Sequence, residues 1–233
     1  SYELPASRTT PDVLTVHKLL KEMSSKSCEA AVMEVSSHGL IQQRVAGVHF
    51  DVGLFTNISP EHLDYHKDMG SYKRAKELLF VPKEGPKGSE VEPLKWAVLN
   101  ADEAWLPNTE KATKRLTYGL KKGADVKGKI LKETAAGTEF KVSFQGKAYK
   151  VCWPLIGAFN VSNALGSLAI AHTKGILMKK ACEALETAPQ VPGRLERVDG
   201  DSGVHVFVDY AHTDDALKQV LSSLTHLKDQ KII

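Results

Sequence analysis

The chain has 233 residues, of which 42% are hydrophobic, 25% charged and 7% aromatic. That length allows one or two domains with a buried core, and those fractions exclude a disordered, collagenous or coiled-coil chain. Lys and Arg number 31 against 28 Asp and Glu, a net charge of +3 that is too balanced to argue for a nucleic-acid or membrane partner.

Cys28, Cys152 and Cys182 lie in or beside apolar segments, with no CxxC pair. They read as reduced structural thiols of a cytoplasmic protein. The longest apolar stretch, 151–159, contains Pro154 and Gly157 and is far short of the ~20 residues of a membrane helix. The N-terminus has no basic region followed by an apolar run, so it is not a signal peptide. It also lacks an initiator Met, and 231–233 resemble the start of a strand, so both ends read as cut from a longer chain.

In chain order, Asp12 caps a helix on which Val13, Val16, Leu19, Leu20 and Met23 recur at helical spacing. Residues 30–35 are a short apolar run expected to form a buried strand that delivers Glu34. Residues 52–56 form a second such run, followed by a polar loop and a helix over 71–80. A loop is expected over 83–93, with two prolines and two glycines. A third buried strand covers 96–99 and ends in Asn100 and Asp102. Apolar runs alternating with helices imply parallel strands in βαβ units.

From 115 to 151 the texture changes to short alternating strands punctuated by Gly119, Gly123, Gly128, Gly137 and Gly146. Gln145-Gly146 marks a hairpin turn between 140–144 and 147–151. This is an antiparallel patch attached to a parallel sheet. Helices follow over 160–174 and 179–188, stopped by Pro189 and Pro192. Strands over 195–198 and 204–209 and a helix over 214–227 open a new unit, with a domain boundary near Pro192.

Open α/β sheets bind ligands beyond the carboxyl ends of their strands. Three polar clusters stand at such ends. Glu34, Ser36, Ser37, His38 and Gly39 suit a magnesium ion and its phosphates, or merely cap the next helix. Thr56 to His66 carries Glu61, His62, Asp64 and His66. The two histidines share one helix face, but without HExxH or a cysteine a hard cation with one His fits better than zinc. His66 reads as a surface or capping histidine. Asp209 suits ribose hydroxyls, or belongs to a helix cap with Thr213 and Asp214. The string GADVKGK at 123–129 mimics a phosphate loop. It is followed by Ile130 instead of Ser or Thr, and it sits in the antiparallel region, so it reads as a hairpin loop.

Taken together, MEVSSHGL, FTNISPEHLDYH, YKRAKELLF, IGAFNVSNALGSLA, PGRLERV and VDYAHT occur in this order and resemble the Mur ligases. Within that family EVSSHGL and DYAHT are most similar to the branch that adds the third peptide residue. The resemblance runs from Thr9 to the helix after Asp214. It implies an α/β fold: a P-loop-NTPase-like, mostly parallel sheet flanked by helices, with a small attached antiparallel sheet, then the start of a Rossmann-like domain. Residues 1–192 would be the central ATPase domain without its first strand and phosphate loop, and 193–233 the opening of the C-terminal domain.

Position by position, the resemblance implies that Thr9, Thr10, Ser36, Gln42 and Arg44 contact the muramoyl-peptide substrate. Glu34 and His62 match magnesium ligands. Lys76 matches a lysine that is carbamylated in the family, which would turn a cation into an anion able to help hold the metal. Asn57, Asn160 and Asn163 match nucleotide contacts, the latter two near adenine, and Asn160 would also suit a helix N-cap. Arg194 matches an arginine near the γ-phosphate, and Asp209 and His212 match ATP contacts. Two positions depart from the family: Glu61 replaces Asp before the metal histidine, and Asp214 replaces the Pro of DYAHTP.

The implied activity is ATP- and magnesium-dependent addition of a diamino acid, meso-diaminopimelate or L-lysine, to UDP-N-acetylmuramoyl-L-alanyl-D-glutamate through an acyl phosphate. The nucleotide would lie between the central and C-terminal domains. The implied enzyme is a cytoplasmic monomer of peptidoglycan synthesis with small-molecule partners and no nucleic-acid or membrane partner. The 233 residues alone, lacking a phosphate loop, are expected to be inactive. The rival readings are a related amide ligase, such as a folylpolyglutamate synthetase or a sister Mur enzyme, and a non-catalytic Mur-like binding module.

Overall fold

The structure is a computed structural model that describes residues 8–81, 92–121, 123–198 and 204–225. The loop expected over 83–93 and the strand start at 231–233 lie largely or wholly outside the described residues. Six strands form one mixed sheet in the order β1 (Val52–Phe55), β2 (Trp96–Asn100), β3 (Lys114–Gly119), β4 (Val126–Thr134), β5 (Gly137–Phe144) and β6 (Lys147–Trp153). The last two ladders are antiparallel, whereas β3 and β4 are parallel, with Tyr118 opposite Val126. The 123–129 string is therefore not a hairpin loop. Asp125 accepts the backbone N–H of Thr117 at 2.8 Å and its hydroxyl at 2.7 Å. That contact folds the connection back, so the chain re-enters the sheet in the same direction. Val126 to Lys129 then form strand, so no phosphate loop exists there.

The chain divides into two compact units. The first comprises the described residues of Ser1–Gly53, His62–Ala97 and Pro107–Lys114. Its first helix, α1 (Val13–Ser25), is capped by Asp12, which accepts the N–H of Thr15 at 3.1 Å. Three short helices follow: α2 (Ser37–Ile41), α3 (Leu63–His66) and α4 (Met69–Glu77). Asp68 starts α4 two residues ahead of the expected 71, by accepting the N–H of Ser71 at 2.8 Å. The buried strand expected over 30–35 is absent: the segment has no ladder, and Val32 is 92% exposed. An apolar run becomes a buried strand only where a neighbouring strand takes its N–H and C=O groups. No described strand pairs with this one.

The second unit comprises the described residues of Leu54–Glu61, Val98–Leu106 and Arg115–Ile233. The hairpin of β5 and β6 turns through Gln145 (φ 48°) and Gly146 (φ 74°). Both residues need the left-handed region, as a two-residue turn with the right strand twist demands. Helices α5 (Ala158–Thr173) and α6 (Met178–Glu186) pack on the β4–β6 strands. Val161, Ala164, Leu165, Leu168 and Ala169 form the buried stripe of α5, and Val126, Phe140, Val142 and Val151 are buried on the strands. Each such buried branched or aromatic side chain stabilises the fold by ~1.5–3 kcal/mol.

Beyond Pro192, β7 (Glu196–Val198) and β8 (Val206–Val208) form an antiparallel pair with Arg197 opposite Phe207, and α7 (Asp214–Thr225) follows. The cysteines are unpaired, as expected of reduced thiols, but they differ in burial. Cys182 is buried, but Cys28 and Cys152 are exposed, and all three are free thiols. Among the described residues, no helix is long and apolar enough to cross a membrane.

Candidate active site

Thr10 organises the first unit. Its side chain is fully buried, its hydroxyl donates to the Glu34 carbonyl at 2.9 Å, and it accepts the N–H of Ser36 at 2.9 Å. These two bonds hold 34–36 in place of a strand ladder. Ser36 then caps α2 by accepting the N–H of Gly39 at 3.1 Å. A Cβ on Gly39 would lie 2.9 Å from Thr10 Cγ2, so this approach requires glycine. The Arg44 guanidinium donates through Nη1 to the Thr10 carbonyl at 2.9 Å and through Nε to Gln42 Oε1 at 2.9 Å. Gln42 Nε2 donates to the Tyr65 hydroxyl at 3.1 Å. The fold thus gathers Thr10, Ser36, Gln42 and Arg44, while the adjacent Thr9 faces solvent.

Beside them is a ring cluster that joins histidines from two separate polar clusters of the sequence. The His38 ring centroid lies 4.2 Å from Tyr65, 4.9 Å from His62 and 5.3 Å from His66. His66, expected at the surface or as a cap, is buried at 6% exposure, with Nε2 at 2.9 Å from the Ser37 hydroxyl. Its ring stacks on Tyr72 at 5.0 Å and 24°. The left-handed backbone at His62 (φ 57°) starts the single turn of α3, which ends with His66 facing Ser37 and Tyr72 instead of water. Burial first, then the neighbouring histidines, Arg44 and Lys76, push His38 and His66 below the ordinary histidine pKa, against the opposing pull of Asp64. Lys76, one turn beyond Tyr72, places Nζ 5.1 Å from its ring centroid, a cation–π contact.

Glu34 and His62 both present exposed side chains. Among the described residues, no group of three or more His, Cys, Asp or Glu side chains is arranged to hold a metal ion. A carboxylate and an imidazole nevertheless suit magnesium bound with nucleotide, which takes few protein ligands and completes its shell with phosphates and water.

The remaining expected residues belong to the second unit. Asn57, exposed, follows the end of β1. That end is anchored by two groups the sequence reading passed over as ligands. Asn100 Nδ2 donates to the Thr56 carbonyl at 2.7 Å, and the Tyr118 hydroxyl donates to the Phe55 carbonyl at 3.1 Å. Burial raises the Tyr118 pKa, which keeps this hydroxyl a donor. The signal for Asn100 was its place at the end of an apolar run. Asn160 is buried and donates to the Ile156 carbonyl at 2.8 Å; Gly157 occupies the N-cap position instead. Glu133 reaches that helix end and accepts the Gly157 N–H at 3.0 Å. Asn163, one turn on, is exposed.

Asp209 accepts backbone N–H groups from Leu195 and Ala211, each at 2.7 Å. Arg194 is exposed, its guanidinium carbon 6.0 Å from the Tyr210 ring centroid. His212 Nδ1 lies 2.9 Å from the Tyr210 carbonyl, and its Nε2 approaches Glu61 at 4.0 Å. Thr213 caps α7 by accepting the N–H of Ala216 at 3.3 Å. The Arg194, Asp209 and His212 side chains are therefore gathered around one turn, and the caps of the alternative reading are present as well.

In fold and in sequence the chain is similar to known proteins. Solved structures of low identity share the fold. One is a UDP-N-acetylmuramate–alanine ligase from Thermotoga maritima, with a TM-score of 0.62 and 19% identity over 97% of this chain and 54% of that one. A solved UDP-N-acetylmuramoyl-L-alanyl-D-glutamate–2,6-diaminopimelate ligase has a TM-score of 0.75 at 32% identity, covering 93% of this chain and 44% of that one. The fold is that of peptide-forming muramoyl ligases. The Mur ligase middle domain family matches residues 2–171, and the Mur ligase glutamate ligase domain matches 193–233; the chain belongs to the Mur ligase family. Curated relatives named UDP-N-acetylmuramoyl-L-alanyl-D-glutamate–2,6-diaminopimelate ligase are similar. That of Bacillus licheniformis is 40% identical over 97% of this chain and 46% of its own length, and that of Listeria monocytogenes 38% over 98% and 47%. The chain spans about half the length of the curated relatives it matches.

Proposed function

We propose that the chain is part of an ATP-dependent ligase that joins a diamino acid to the D-glutamate carboxyl of UDP-N-acetylmuramoyl-L-alanyl-D-glutamate in cytoplasmic peptidoglycan synthesis. The names of the relatives favour diaminopimelate over lysine. The carrying observation is the lattice of Thr10, Ser36, Gln42 and Arg44 beside the His38–His66–Tyr72 cluster. A domain boundary near Pro192, with 1–192 central and 193–233 C-terminal, is supported by the family matches ending at 171 and restarting at 193.

In this reading Thr10 sets the backbone of 34–36, so that Thr9 and Arg44 meet the anionic substrate. Arg44 is oriented by Gln42 and the Thr10 carbonyl, leaving the rest of its fork for a carboxylate or phosphate. Glu34 and His62 would hold the magnesium ion, which neutralises phosphoryl charge when bound. Lys76 becomes a carbamate when its neutral Nζ adds to carbon dioxide and releases one proton. Asn57, Asn160, Asn163, Arg194, Asp209 and His212 form the nucleotide set. These groups position reactants and stabilise charge: the D-glutamate carboxylate would take the γ-phosphoryl group of ATP and release ADP, and the amine of the incoming amino acid would then displace phosphate and lose a proton.

The test is ligation by the full-length protein. Lys76→Ala is expected to abolish tripeptide formation, with partial rescue by short carboxylates. Undiminished activity would remove the carbamate role. Activity with folate-type or other Mur substrates, in place of the diamino acid, would favour a sister ligase. No ATP-dependent ligation at all would favour a binding module.

A further inference from the structure

The outward face of the β4–β5–β6 ladder is strongly basic. Val126, Phe140, Val142 and Val151 point into the core, and strand alternation turns Lys127, Lys129, Lys141 and Lys150 the other way. The register sets Lys129 directly opposite Lys141, and Lys141 directly opposite Lys150. Past the irregularity between Ile130 and Lys132, Lys132 stands opposite Glu139. Glu139 is paired with Lys150 at 3.0 Å; none of the other four lysines is ion-paired among the described residues. Like charges directly opposite one another destabilise a sheet. Glu139 offsets Lys150, but Lys127, Lys129 and Lys141 have no such partner among the described residues, and the net charge of +3 conceals them by averaging over the whole molecule.

We propose that this face docks on an anionic lipid surface. A three-stranded ladder spreads its cations over three neighbouring strands, about 10 Å across, a span of a few headgroups. Its cations are all lysines, flexible point charges suited to a diffuse anionic plane. It carries no arginine fork for bidentate recognition of an acidic peptide and no aromatic ring to stack a base. Leu131, 47% exposed at the irregularity between Ile130 and Lys132, adds an apolar group next to Lys132, a neighbouring of apolar and cationic groups that interfacial binding uses.

The test is co-sedimentation of the chain with phosphatidylglycerol–phosphatidylcholine vesicles at low salt. Binding is expected there, not to phosphatidylcholine alone, and it should fade toward ~0.5 M salt. Each lysine contributes about fivefold in partitioning near an anionic surface. Lys127→Gln/Lys129→Gln/Lys141→Gln should therefore weaken binding by about 100-fold while folding at least as stably, since like charges are removed and the Lys150–Glu139 pair is kept. Lys18→Gln/Lys21→Gln/Lys111→Gln changes net charge equally on other exposed sites and should leave binding within a few-fold. Equal loss in the two variants, binding to neutral vesicles, or no binding to anionic vesicles would overturn the proposal. So would tighter binding of poly-glutamate or poly-uridylate than of vesicles, at equal charge concentration.

Discussion

The carboxylate of Asp209 accepts the backbone N–H of Leu195 at 2.7 Å. Leu195 is buried and left-handed, at φ 49°, a conformation that costs a branched residue ~1–2 kcal/mol. The other oxygen of Asp209 takes the N–H of Ala211 at 2.7 Å. One side chain thus ties the Arg194 turn to the segment that carries Tyr210 and His212. Asp209→Ala is expected to lower stability by about 1–2 kcal/mol, allowing for partial solvent screening. Urea unfolding checks this, and an unchanged midpoint would leave Asp209 with no role in holding the turn.

Thr10 and Gly39 should couple. Gly39→Ala forces a methyl to 2.9 Å from Thr10 Cγ2, and overpacking of this kind costs ~1–3 kcal/mol. Thr10→Ser removes that methyl and keeps the hydroxyl that bridges Glu34 and Ser36. The double variant should be more stable than the two single losses added together, as a double-mutant cycle would show. Strict additivity would mean that the clash is relieved elsewhere.

Stability should fall in acid through two helix caps. Hydrogen bonds from Thr15 and Ser71 lower the pKa values of Asp12 and Asp68 below the ordinary 3.8. A folded pKa below the unfolded one gives stability that is complete above 3.8 and lost as pH falls through the folded value. Asp12→Asn/Asp68→Asn keeps the capping oxygens but cannot titrate. Its melting temperature should decline less between pH ~6 and ~3 than that of the parent chain. Parallel declines would assign the acid sensitivity to other groups.

The thiols should separate by reactivity. Burial, then Glu186 and Glu183, push the Cys182 thiol up to about 11, which starves it of thiolate near neutral pH. Cys28 and Cys152 are exposed. A thiol reagent at pH ~8 should label those two in the native chain and Cys182 only after denaturation. Rapid native labelling of Cys182 would show that α6 opens readily from β6.

Several elements were legible because their signals are local. Asp12 announces α1, Gln145-Gly146 announces the β5–β6 turn, and the helix expected over 160–174 is present as α5, two residues earlier at its start. The failures share a different cause. Residues 30–35 look like a buried strand, but burial depends on a neighbour that local composition does not reveal. The spacing of His62 and His66 suggested one shared face, yet the turn of α3 leaves His62 exposed and sends His66 inward. The 123–129 connection has hairpin chemistry, but the contact from Asp125 to Thr117 returns the chain in parallel.

By itself, then, the sequence determined which residue types stand at the ends of which elements, and through its motifs the family to which they belong. Backbone propensity, capping and side-chain period act over a few residues, so a linear reading captures them. Only the tertiary structure decided what those residues touch. It brought Arg44 to Thr10 across 34 positions and turned Asp209 into a clamp on Leu195. It also lined up Lys129, Lys141 and Lys150 in one row. Contacts between distant positions depend on strand register and packing direction, and a shift of one residue would send each side chain to the opposite face.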